Sequence, residues 1–98
     1  MFIGSLALDL LLGDVHSLKE KRSVVRPIVA ELRRRHEVSA AEAGHLDLHR
    51  RTLIGVAVVS ADAHHCREVL TACERLVADR PDVEVLSAHT QLYKEEDE

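Results

Sequence analysis

The chain has 98 residues, 46% of them hydrophobic and 31% charged, with a formal net charge of −4. That length makes one domain, and the acidic balance excludes binding to polyanions through overall charge. Phe2 and Tyr93 are the only aromatic residues besides histidine, so the core must be built from Leu, Val, Ile and Ala.

The chain opens on an apolar run, Phe2 to Leu12, that alternates as a strand does. Leu6, Leu8, Leu10 and Leu12 share one face, and Ile3, Ser5, Ala7, Asp9 and Leu11 share the other. The run lacks a basic leader and contains Asp9, so it reads as a strand rather than a secretion signal. Gly13-Asp14 ends it. Ser17 and Glu20 then stand three apart, the spacing of a capping box. The Ser17 hydroxyl can accept from the Glu20 N–H, and the Glu20 carboxylate can reach back to the Ser17 N–H. A helix follows from Leu18 to about His36, with Leu18, Val25, Ile28, Val29 and Leu32 as its apolar stripe. Pro27 removes a backbone donor inside it and should kink the helix or divide it in two. Residues 19–36 hold seven Lys or Arg against two Glu, a net of +5.

Val38–Ala43 reads as a weaker strand and Gly44–Arg50 as a polar loop or hairpin extension. Arg51–Ser60 is apolar on both faces, the mark of a central strand. Ser60 or Asp62 caps a second helix, about Ala63–Asp79, whose inner face carries Cys66, Val69, Leu70, Cys73, Leu76 and Val77. Cys66 and Cys73 lie about two turns apart, roughly 10 Å, too far for a disulfide within one helix. They read as small core residues in a reducing compartment. Pro81-Asp82 turns the chain into a last strand, about Val83–Tyr93. Glu95-Glu96-Asp97-Glu98 forms an acidic tail.

The order β-α-β-β-α-β is that of the ferredoxin-like α+β sandwich. It predicts a four-stranded antiparallel sheet with both helices on one face. The first and third strands, the two most apolar, would be central. Residues 1–94 would form this single domain and 95–98 a solvated tail.

Three segments carry a family resemblance. They are Val15-His16-Ser17-Leu18-Lys19-Glu20-Lys21-Arg22, Val38-Ser39-Ala40-Ala41-Glu42, and Ile54-Gly55-Val56-Ala57-Val58-Val59-Ser60-Ala61-Asp62. In this order and spacing the chain resembles the YlxP-like family of small bacterial proteins of unknown function, over nearly its whole length. The resemblance implies a ferredoxin-like fold. Genes of that family often lie among genes for translation initiation and ribosome maturation, which implies a role there. It supplies no catalytic residues.

At about 100° per residue, Lys19, Arg22, Arg26 and Arg33 fall in one stripe of about 60° beside the apolar face of the first helix. Four cations in line can neutralise phosphates without reading sequence. They also suit a solvated face whose aliphatic stems cover the core edge, the more ordinary use of such a stripe. If the leucine-rich face of the sheet meets the helices, Ile3, Ala7, Leu53, Gly55, Ala57 and Val59 are left on the open face. Small residues on a flat face permit close approach of a second copy, so a homodimer is expected. A protein partner or small ligand on that face is the alternative. Base stacking there is not expected, because the central strands carry no aromatic beyond Phe2 at the start.

His45 and His49, with Asp47 and Glu42 nearby, would suit zinc on a helix, but this stretch reads as strand or loop. Asp9 and Glu42 are candidate carboxylates if they meet; Glu42 otherwise reads as an edge charge or the partner of an Arg. With no nucleophile elbow, phosphate loop or dinucleotide fingerprint, no catalytic residue, metal or cofactor is expected. The expectation is a non-enzymatic cytoplasmic accessory factor that touches RNA or a ribosomal particle through its first helix, away from any membrane.

Overall fold

A computed structural model describes residues 1–96. Its elements are β1 (Phe2–Leu12), α1 (Leu18–Arg35), β2 (Ser39–Gly44), β3 (Arg51–Ser60), α2 (Ala63–Ala78) and β4 (Val83–Lys94). The strands form one antiparallel sheet in the order β2-β3-β1-β4. This is the ferredoxin-like α+β architecture, and β1 and β3 are its central strands. The acidic tail begins at Glu95, whose N–H donates to the Met1 carbonyl at 2.8 Å; Asp97 and Glu98 lie outside the described residues.

The alternation of β1 decides which face is covered. Leu6, Leu8, Leu10 and Leu12 are all buried, and so are Thr52, Ile54, Val56 and Val58 of β3. From the helices, Val25, Ile28, Leu32, Cys66, Leu70, Cys73 and Val77 close the same core. Each fully buried Leu or Ile contributes about 2 kcal/mol by leaving water. α2 packs on β1, β3 and β4, while α1 lies over β2. Gly4 marks the closest approach: a side-chain carbon there would sit 2.9 Å from Leu70 Cδ1 and 3.2 Å from Val58 Cγ1.

Several boundaries differ from the sequence expectation by one residue, and three features differ in kind. α1 runs unbroken through Pro27 and is not divided. Ser23 and Pro27 are both exposed, so water can reach the carbonyl that loses its partner. Leu18 is exposed rather than part of the apolar stripe, and Lys21 takes a buried place on that stripe. Phe2 points to the helix side, half-buried against the core, so it contributes nothing to the open face. Of the two proposed caps for α2, Asp62 is used: its carboxylate accepts from the His64 N–H at 2.9 Å.

Candidate nucleic-acid interface

The start of α1 sets the direction of every side chain along it. Ser17 is extended, and its hydroxyl accepts from the Glu20 N–H at 3.1 Å. The reciprocal bond falls one residue earlier than the capping box predicts. Glu20 Oε2 accepts from the His16 N–H at 2.8 Å, not from Ser17. With the start so fixed, Lys21, Val25, Ile28 and Leu32 turn inward. Arg22, Arg26 and Arg33 occupy the flank that overhangs β2, at the edge of the sheet.

That flank and β2 enclose a groove of about 460 Å³. Val25, Val29 and Ala30 of α1 give it an apolar wall and Ala41 borders it from β2; Arg22, Arg26, Arg33 and Glu42 supply its charge. Arg33 is partly committed, because its Nε donates to the Ala40 carbonyl at 3.0 Å. Lys19, Arg22 and Arg26 make no ion pair or hydrogen bond among the described residues. They line a second hollow with Ser23 and Pro27, and Arg22 and Arg26 border both this hollow and the groove. The structure thus brings together the four cations expected to lie in line. Arg22, Arg26 and Arg33 line the groove, Arg33 being tied to the edge strand, and Lys19 lines the neighbouring hollow.

Lys21, the residue before Arg22, does something else. Its Nζ lies 2.9 Å from Glu42 Oε2 and donates to the His45 carbonyl at 2.7 Å, with the side chain 3% exposed. The buried Thr52 hydroxyl donates to the same Glu42 oxygen at 2.6 Å. Glu42 is therefore the partner of a lysine, not a bare edge charge or the mate of an arginine. Sequence reasoning missed this pin, although the signal was present: Lys21 stands four, seven and eleven residues before Val25, Ile28 and Leu32, on the buried stripe.

Asp9 and Glu42 do not meet. Asp9 pairs in register with Leu53 and Glu42 with Ile54, so the two carboxylates project from opposite faces of the sheet. Asp9 receives a fork from Arg51, with Nη2 at 2.7 and 2.8 Å from its two oxygens. His45 Nε2 adds a contact at 3.4 Å. The Arg51 hydrogen bonds hold the Asp9 carboxyl below its ordinary value of 3.8. His45 has a left-handed backbone, φ 56°, and its two ends link the buried pin to the Asp9–Arg51 pair. Among the described residues no three His, Cys, Asp or Glu side chains gather to hold a metal ion. Both cysteines are free and buried, and burial pushes the Cys73 thiol up.

Ile3, Ala7, Leu53, Gly55, Ala57 and Val59 all lie on the sheet face away from the helices. Val59 is 61% exposed; the other five are half-buried. Tyr93, opposite Ile3 in register, is the aromatic on this face, and its hydroxyl donates to Gln91 Oε1. No helix among the described residues is long and apolar enough to cross a membrane.

Residues 3–90 match the model of a family described as "Protein of unknown function (DUF503)", and the chain belongs to that family. It is similar to the uncharacterized protein YlxP of Bacillus subtilis (strain 168), with 29% identity over 91 residues. The match covers 93% of this chain and 99% of the relative.

Proposed function

We propose that this chain is a non-enzymatic accessory factor that contacts RNA, in a ribosomal particle, through the flank of α1. One observation carries the proposal: Lys19, Arg22 and Arg26 stand in line on one helix flank with no protein partner among the described residues, beside the arginine-lined groove. Guanidinium groups recognise phosphate oxygens through paired N–H donors. Release of counterions from the phosphates then supplies affinity without sequence reading. The ribosomal setting comes from the family resemblance described above. The carboxylates support a non-enzymatic role, since each is bound to a cation and they sit on opposite faces.

The test is RNA binding at low and high salt, together with co-sedimentation with ribosomal subunits and immature particles. Charge reversal at both Arg22 and Arg26 should weaken RNA binding by at least about tenfold and cut the salt slope by roughly 1.4, about 0.7 per lost contact. It should also release the protein from its particle. Unchanged binding in that variant would remove the flank from consideration.

The open sheet face supports a second copy as partner, because Gly55, Ala57 and Ala7 leave a flat surface beside the exposed Val59. Two-fold packing there leaves both α1 flanks free. Sedimentation equilibrium should then report a dimer that Ala57→Arg dissociates. A monomer at every concentration would defeat this arrangement.

A further inference from the structure

We infer that the groove between α1 and β2 seats one unpaired, amino-bearing base of single-stranded RNA, with the neighbouring phosphates on Arg22 and Arg26. This rests on the α1 flank being the RNA-contact surface, and it adds what kind of RNA that surface takes.

The walls of the groove carry the first part. A surface that meets only phosphates has no use for apolar contact, yet beside the guanidinium groups lie Val25, Val29 and Ala30. Ala30 is exposed and Val29 half-buried, so the apolar floor is open to a ligand. A base offers a flat apolar face of this kind only when it is unstacked. A duplex hides those faces, and the deep major groove of A-form RNA admits no side chains. The groove, about 460 Å³, falls within the usual range for small-ligand sites, roughly 300–1,000 Å³.

The arginines carry the second part. Arg22 and Arg26 are one helical turn apart, with Cβ atoms about 5–6 Å from each other, and neither has a protein partner among the described residues. Two phosphates on either side of a seated base can each meet one of them. Arg33 differs: its bond to the Ala40 carbonyl at 3.0 Å fixes the guanidinium, and a fixed guanidinium plane stacks on a base where aromatic side chains are absent.

Glu42 carries the third part. Lys21 and Thr52 both use its Oε2, leaving Oε1 as an acceptor in a groove otherwise lined by donors and apolar carbon. An acceptor there favours a base with an exocyclic amino group, as a carboxylate accepts from cytosine N4. Uracil has a carbonyl in that position. A carboxylate also disfavours an acidic peptide, whose side chains would share the groove with another anion.

The experiment measures binding of the full chain to oligocytidine, oligouridine and an RNA duplex of equal length. An acidic peptide serves as competitor. Wild type should bind oligocytidine about tenfold more tightly than the duplex, the increment of one stacked base. It should bind oligouridine about fivefold more weakly than oligocytidine. Ala30→Leu fills the floor without touching a charge; it should bring oligocytidine down to the duplex level and leave duplex binding unchanged. Equal binding of duplex and single strand, with sensitivity to charge reversal at Arg22 and Arg26, would overturn the base seat while leaving RNA contact standing. Displacement of oligocytidine by the acidic peptide at equal concentration would overturn it in favour of a protein ligand. No RNA binding at any salt would remove both.

Discussion

Lys21 and Arg22 are adjacent in the chain, and α1 turns them to opposite uses. Lys21 is 2% exposed and turns its ammonium inside the protein, to Glu42 and the His45 carbonyl. Arg22 is exposed and spends none among the described residues. About 100° of helical rotation separates a structural cation from one available to a ligand. Composition cannot register that difference, because both count equally toward the +5 of residues 19–36. The buried region holds α1 onto the β2–β3 loop. The free region has a charge that no part of the fold uses.

The sharpest way to break this contrast is to remove each cation in turn. Lys21→Met keeps the volume but leaves the Glu42 carboxylate with Thr52 alone and the His45 carbonyl with only the Leu48 N–H. An uncompensated charge of this kind costs about 3 kcal/mol, toward the lower end because Glu42 keeps some solvent contact. Arg22→Met should change stability by less than about 0.5 kcal/mol. Urea unfolding of the two variants measures both. Adding Glu42→Gln to Lys21→Met should recover part of the loss, since a neutral amide still accepts from Thr52. If Lys21→Met and Arg22→Met cost the same, the buried pin contributes nothing particular and the contrast fails.

The fold was legible because β1 and β3 state their faces in period two and α2 in period 3.6. Leu6, Leu8, Leu10 and Leu12 needed no tertiary information to be placed on one side. The cationic stripe was legible for the same reason, as a count of helical phase. What stayed hidden were contacts between elements. Glu42 and Lys21 are distant in sequence, and their pairing depends on α1 lying over β2. The meeting of Asp9, Arg51 and His45 depends on strand register and on a loop residue with positive φ. Leu18 was misplaced because apolar character overrode its position at the first turn, where the helix has already left the core. Pro27 was overread: on an exposed flank the orphaned carbonyl has water, so the penalty is too small to divide the helix.

Asp9 continues the pinned region onto the open face through His45. Its carboxyl lies below 3.8 in the folded chain, chiefly through the Arg51 hydrogen bonds. A depressed folded-state value means the contribution to stability is complete above 3.8 and is lost as pH falls through the folded value. The stability gap between wild type and Asp9→Asn should therefore be constant from neutral pH down to about 4 and close below that. Thermal or urea unfolding of both proteins across the acid range measures it. A gap that stays constant below pH 3 would mean that the Arg51 fork does not depend on the Asp9 charge. The arginines of the flank remain protonated throughout this range. Acid should thus erode the Asp9 contribution while leaving the charge of Arg22 and Arg26 intact, separating by pH two regions that one short helix joins.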